Sequence, residues 1–483
     1  MRHLWTTLVM AAALCGQGAP ESADIGSRRE LFLDRHLIER IEGATLRLHS
    51  PIPKEDALVL DRPWEGAFCA YFTVIRDAAR YLLYYRCVPN AGQDGRADEA
   101  TCYAESADGI AWKKPSLGLF EVLGTRENNV VLAGQPPFSH NFSPFLDTRP
   151  GVPAAERFKA LAGVSKTGLV SFVSADGIHW RKLQDAPVLP PQSRTAYDSQ
   201  NLAFWSETEG RYVCYFRTFK NFPGTKPVRW VSRAVSADFL KWSAPEEMSF
   251  GDAPPEHMYT NQTSPYFRAP HIYVSTAARF MPGRQVLTDE EAASIKVNPK
   301  YYRDCSDAVL FTTRGGARYD RTFLEAFVRP GIGPQNWVSR SNYPALNVVQ
   351  TGADEMSMYV NRNYGQPTAR LTRYAMRLDG FASLHGDYKG GEAVTRPVRF
   401  RGRMLEINYS TSAAGSVRVE IQDAAGTPLP GFTLADSREI IGDEIARTVA
   451  WRDGADVSHL AGKPVRLRFV VKDADVFSWR FRE

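Results

Sequence analysis

The chain has 483 residues, 43% of them hydrophobic and 23% charged, with a formal net charge of +5. These values are ordinary for a soluble globular protein of two or three domains. So small a charge, with no run of five basic residues, argues against a nucleic-acid partner.

At the start, Arg2 and His3 precede the apolar run LWTTLVMAAALCG, and small residues follow. That is the pattern of a secretory signal. Residues 1–19 are read as the signal, and the mature protein is expected to be secreted or periplasmic. The run is too short to span a bilayer, and no later stretch is long and apolar enough, so no membrane insertion is expected. Past the signal stand Cys69, Cys87, Cys102, Cys214 and Cys305. An odd number at irregular spacing is not a disulfide framework. Buried free thiols are one reading, and a Cys87–Cys102 pair across a hairpin is another. No C-x-x-C or H-E-x-x-H marks a zinc site, so no metal or other cofactor is predicted.

Further along, one heptad recurs as SADGIAW (Ser106–Trp112), SADGIHW (Ser174–Trp180) and SADFLKW (Ser236–Trp242). Asp-Gly is a hairpin-turn signal, and Trp offers a large ring to pack beside the turn. Aromatic, alternating runs such as YLLYYRC and YVCYFRT precede the copies and read as strands. Weaker copies are TRGGARY at Thr313 and RLDGFAS at Arg377; the five starts are separated by 68, 62, 77 and 64 residues. Each unit has room for four strands, and five such sheets bury both faces only when arranged radially. The fold class is therefore all-β: a five-bladed β-propeller over about 26–388, then a β-sandwich over 389–483. The segment Arg29–Glu39 is expected to supply a closing strand. The long fourth unit carries an insertion around Met281–Asp304.

Propellers bind ligands at one mouth of the central channel. The polar residues that start each innermost strand there are Glu65, Asn141, Asp198 with Gln200, Asn261 and Asn342. The second strands end at Arg86, Arg217, Arg279 and Arg362, with Lys166 in the second unit, predicting a cationic collar. Arginine suits bidentate contact with carboxylate or sulfate. At the start of a third strand, Asp307 breaks the repeat, because the other units have Ala100, Gly168, Trp230 and Leu371 there. Glu65, Asp198 and Asp307 are the candidate catalytic carboxylates, since glycoside cleavage needs one acid as proton donor and another to activate water or attack the sugar. The arginines and amides, with Trp64, Tyr71, Tyr197 and Trp230 as stacking surfaces, are the candidate substrate contacts.

The phrases HNFSPFLDT, YDSQNLAFW, YTNQTSPYFRAPHIY and NYPALNVVQT resemble the five-bladed propeller glycoside hydrolases, a group that includes fructosidases and arabinanases. The resemblance implies a carboxylate on each of the first three blades. Glu65 and Asp198 fall at the first and third positions, and Asn141 stands where the second acid belongs. The heptad is also similar to the sialidase Asp-box with one residue fewer. The expected function is an exported glycosidase acting on a carbohydrate, with the collar pointing to an anionic one. The alternatives are a non-catalytic glycan-binding propeller and a polysaccharide lyase or sialidase-like enzyme.

Overall fold

The computed structural model describes residues 22–92, 94–193 and 196–483, so the expected signal lies outside the described residues. The chain divides into two units: residues 29–35 with 46–383, and residues 22–28, 36–45 and 384–483.

The larger unit is a five-bladed β-propeller. Its first blade runs outward from Ala70–Asp77 through Arg80–Cys87 and Ala100–Ser106 to Val130–Leu132. The second, third and fourth blades, within 143–182, 202–247 and 257–328, repeat that order. The fifth has Tyr343–Pro344 and Val349–Gln350 innermost, then Glu355–Arg362 and Arg370–Arg377. Its outermost strand is Ile52–Val59, from the other end of the chain, with Arg370 opposite Val59 and Ala375 opposite Ile52. This corrects the expectation that Arg29–Glu39 closes the ring. That segment is rich in charge, and Glu30 and Asp34 instead hold Arg314 of the fourth blade in ion pairs at 2.8 and 3.0 Å.

The heptad forms the hairpin between the third and fourth strands of a blade. In the second copy, Gly177 N–H donates to Ser174 Oγ at 2.9 Å, while Ile178 and His179 N–H donate to Asp176 Oδ1 at 2.8 and 2.9 Å. The carboxylate thus satisfies backbone donors that a tight turn would strand. The fourth residue is left-handed in each copy: φ is +76° at Gly109, +82° at Gly177 and +69° at Phe239. The turn is also a seat for the preceding blade. Tyr84 of the first blade donates to Gly177 O at 2.8 Å, and Tyr359 of the fifth donates to Gly109 O. Each such bond contributes about 1 kcal/mol to blade register. In the fifth copy the left-handed residue is Asp379 (φ +63°), one position earlier than the spelling suggests.

The fourth-blade insertion contains the one α-helix among the described residues, Asp289–Ser294. Thr288 and Glu291 form a reciprocal capping box at its start, which lets so short a helix persist. Leu287, Ala292, Val297 and Tyr302 pack together beneath it, with Tyr301 against the same cluster.

In the smaller unit every strand belongs to one hydrogen-bonded sheet. Two long strands, Met404–Asp423 and Val465–Arg482, run antiparallel, and their register breaks between Thr411 and Ser416. Apolar residues alternate on both sides of the break, Leu405 and Ile407 before it and Val417, Val419 and Ile421 after it, and all are buried. The whole sandwich region is thus one connected hydrogen-bonded sheet. Ala23–Gly26 pairs with Val398–Phe400, and Ile38–Glu42 with Gly391–Thr395, so part of the N-terminal segment belongs to this sheet.

Candidate active site at the channel mouth

Side chains from the first, second, third and fifth blades meet around His140, which is fully buried just ahead of the second blade's inner strand. Its Nδ1 lies 3.0 Å from Glu99 Oε1, and its Nε2 lies 3.5 Å from Asp198 Oδ1 and 3.8 Å from Asp94 Oδ1. Burial works against a charged imidazole, but the bonds to Asp198 and Glu99 outweigh it and raise the His140 pKa. His140 Nδ1 lies between Glu99 and Arg86 Nη1, the latter at 3.2 Å, while its Nε2 faces Asp198 at ion-pair distance. Asp198 also pairs with Arg217. Burial would raise its carboxyl; Arg217 and His140 overcome that and hold it far below the usual range. Asp94 moves the other way. Burial and the neighbouring Asp198 raise its pKa, against His140. Two touching carboxyl groups with opposite shifts are what a proton donor and an ionised partner need.

Arginines and tyrosines form the walls. Arg86 donates to Phe68 O at 3.1 Å and to Tyr364 Oη at 3.3 Å, and lies 4.8 Å from the Tyr71 ring centre. Arg217, Arg229 and Arg340 surround the Tyr259 ring at 5.0, 5.1 and 5.4 Å. Tyr301, propped by the insertion, takes Arg340 on its ring at 5.0 Å. Below, Gln262 donates to Gln200 Oε1 at 2.6 Å and to Pro344 O at 2.8 Å, and Gln200 donates to Thr73 Oγ1 at 3.0 Å. This belt links four blades across the channel. Tyr71, Tyr197 and Arg340 are left-handed, with φ +59°, +62° and +60°. Such backbone costs about 1–3 kcal/mol per residue and persists where packing enforces it.

The three acids predicted from sequence do not share this mouth. Asp198 is in it. Glu65 is fully buried in the first blade, accepting from Tyr85 Oη at 2.6 Å, Lys114 Nζ at 2.7 Å and Arg62 N at 2.9 Å. Asp307 is forked by Arg279 at 2.6 and 2.8 Å. Of the collar, Arg86 and Arg217 converge. Arg279 instead holds Asp307 and Glu256, and Arg362 donates to Tyr374 Oη at 3.0 Å and Pro330 O at 2.7 Å. Lys166 is exposed. The split has a geometric cause. Arg86 and Arg217 stand five residues beyond Tyr81 and Tyr212, the partners of the heptad serines Ser106 and Ser236. Arg279 and Arg362 stand six beyond the corresponding Tyr273 and Met356. One residue turns a strand side chain to the opposite face.

The amides brace the ring. Asn141 donates to Gly163 O, Tyr197 O and Ser199 O at 2.7–2.9 Å, tying the second blade to the approach to the third. Asn342 donates to Ser306 O at 2.8 Å, and Asn261 Oδ1 accepts from Thr263 N at 3.1 Å. Trp64, Tyr197 and Trp230 are buried in blade packing, and Tyr71 alone of the expected stacking residues is at the mouth. Asp94, Glu99, His140, Arg229, Tyr259, Tyr301, Arg340 and Tyr364 were missed from sequence. His140 and Arg340 lie one and two residues before Asn141 and Asn342, so the strand-start register pointed within a step of them. Donor atoms of Asp94, His140 and Asp198 lie within 4.8 Å of one another, close enough for a cation. The Arg217 and Arg86 guanidiniums beside them oppose one.

No protein-family model matches the chain, and no curated protein matches it in sequence. Among solved structures it is similar to a glycoside hydrolase (14% identity, covering 68% of this chain and 92% of that one, TM-score 0.47). It is also similar to an N-acetylgalactosamine deacetylase from F. plautii in complex with blood group B trisaccharide (13%, 70% and 96%, 0.43). A third likeness is to a fructofuranosidase from Schwanniomyces occidentalis complexed with fructosylnystose (11%, 88% and 98%, 0.41). Likeness this slight assigns no activity.

Proposed function

We propose that this protein is an exported glycoside hydrolase that cleaves a glycan at the propeller mouth. Asp94 is the proton donor to the leaving oxygen, and Asp198 is the ionised carboxylate at the anomeric carbon. The observation that carries this reading is the Asp94–Asp198 pair, whose proton affinities are pushed apart in one tyrosine-walled site. His140 and Arg217 keep Asp198 ionised and fix its rotamer. Export is supported by the Cys87–Cys102 disulfide, a bond that persists in oxidising compartments.

The test is turnover of a panel of neutral and charged oligosaccharides by wild type, Asp94→Asn and Asp198→Asn. Both substitutions should lower kcat by about 10³-fold or more. Because Asp94 must be protonated, wild-type activity should fall as pH rises through its elevated pKa. Binding without turnover by wild type, or unchanged turnover in both variants, sinks the hydrolase reading and leaves a glycan-binding propeller.

A further inference from the structure

The mouth holds more positive charge than its carboxylates match. Asp198 answers Arg217, and Glu99 answers His140. Arg86, Arg229 and Arg340 have no carboxylate within ion-pair distance among the described residues. Arg229 has His257 Nδ1 at 3.4 Å, and Arg340 has only the Tyr301 and Tyr364 hydroxyls at 3.5 and 3.4 Å. Collecting three guanidiniums around one tyrosine ring is unfavourable unless something offsets their repulsion. Hydrogen-bonding capacity is also unspent. Arg217 is 2% exposed, yet its Nε and Nη1 have no partner, and neither has Arg229 Nε. Buried donors without a protein partner are commonly taken by water, an ion or a ligand.

We infer that Arg217, Arg229 and Arg340 form an oxyanion subsite that holds the carboxylate or sulfate of a charged sugar beside the Asp94–Asp198 pair. This rests on the reading of the mouth as a glycan site. A guanidinium fork matches the two oxygens of such a group, and the apolar ring of Tyr259 between the forks keeps water from competing. Arg340 reaches the subsite from the fifth blade and Arg229 from the third, so the group is gripped from two sides. Arg229 and Arg340 are thereby specificity-determining residues, and among the described residues neither forms an ion pair with Asp94 or Asp198.

The test is binding, separated from turnover by using Asp94→Asn, which preserves the Asp198–Arg217 pair. Calorimetry compares length-matched neutral, uronate-containing and sulfated oligosaccharides at low and high salt. A charged ligand should bind at least tenfold tighter than its neutral counterpart, with the gap narrowing as salt rises. Arg229→Met and Arg340→Met, placed on Asp94→Asn, should each close most of that gap by lowering the charged affinity far more than the neutral one. Arg340→Lys, which keeps the charge and loses the fork, should recover part of it. A response to uronate alone or sulfate alone names the group. Equal affinity for neutral and charged ligands overturns the inference, as do folded arginine variants that keep the full preference. Should the methionine variants fail to fold, the wild-type melting temperature decides: glucuronate or inorganic sulfate must raise it more than glucose or chloride does at equal concentration. Charged sugars that bind through these arginines but are never cleaved defeat the hydrolase reading and leave the subsite standing. Cleavage indifferent to charge and to Arg229 and Arg340 does the reverse.

Discussion

Replacing Gly177 with alanine asks whether the heptad turn is a seat for the neighbouring blade. Gly177 is at φ +82°, and an added Cβ would lie 2.5 Å from Tyr84 Oη and 3.2 Å from Leu82 Cδ1. The left-handed backbone costs an alanine about 1–2 kcal/mol. Tyr84 is fully buried, so it can retreat only by giving up its 2.8 Å bond to Gly177 O. Losing that bond costs about 1 kcal/mol, and overpacking adds about 1–3. The expected destabilisation is about 4 kcal/mol by these terms. Gly210 is the control: φ is +62°, but nothing lies within 4 Å of its added Cβ. Its alanine variant should lose only the backbone term, about 1 kcal/mol. Urea titration followed by tryptophan fluorescence gives both midpoints. Equal shifts in the two variants would refute the claim that the turn receives the first blade.

Glu65→Gln should cost about 1–3 kcal/mol, because Tyr85 Oη, Arg62 N–H and Lys114 lose a charged acceptor although Lys114 keeps Asp61 at 3.1 Å, while kcat of the folded fraction stays at the wild-type value; a catalytic Glu65 would show the opposite pattern. Glu30 is buried, which alone would raise its pKa, but Arg314 and His271 hold it at about 2 against an ordinary 4.5. That depression contributes about 3 kcal/mol of stability, fully present above pH 4.5 and lost as pH falls toward 2. Glu30→Gln should be less stable at neutral pH and show a flatter acid limb in denaturation curves; an unchanged limb would place the linkage elsewhere. Reducing the Cys87–Cys102 bond, which encloses 15 residues of sequence separation, should lower stability by about 3 kcal/mol. Thiol labelling of the unreduced, unfolded protein should find Cys69, Cys214 and Cys305 and spare the other two.

The ring was legible because its signal is local and repeated. Ser, Asp and a residue that accepts positive φ make the same turn wherever they are written, and the spacing counts blades. Even there, Asp379 shows the limit, since the spelling placed the turn one residue late. The mouth was half legible. Strand starts and strand ends found Asp198, Arg86 and Arg217, but counting from a motif across an uncertain register put Arg279 and Arg362 on the wrong face. Asp94 and Glu99 lie in the loop NAGQDGRADEA, where no periodicity fixes which side chain turns inward. Glu65 illustrates a different limit. Its type and position suit catalysis, and only the structure reveals Lys114 and Tyr85 bound to it.

The ring's closing strand gives the mouth a birth order. Ile52–Val59 is made early, and its partner Arg370–Arg377 emerges more than 300 residues later. At ~5–20 residues per second that is a wait of ~15–60 s. The seam between the first and last blades also runs through the mouth. There Arg86 meets Tyr364 at 3.3 Å, and Gly365 N–H donates to Ala67 O at 2.8 Å. The fifth-blade part of the mouth is therefore completed long after the first-blade part. A ligand lying across the seam acts as a rivet, adding its own binding free energy to the closure of the circle.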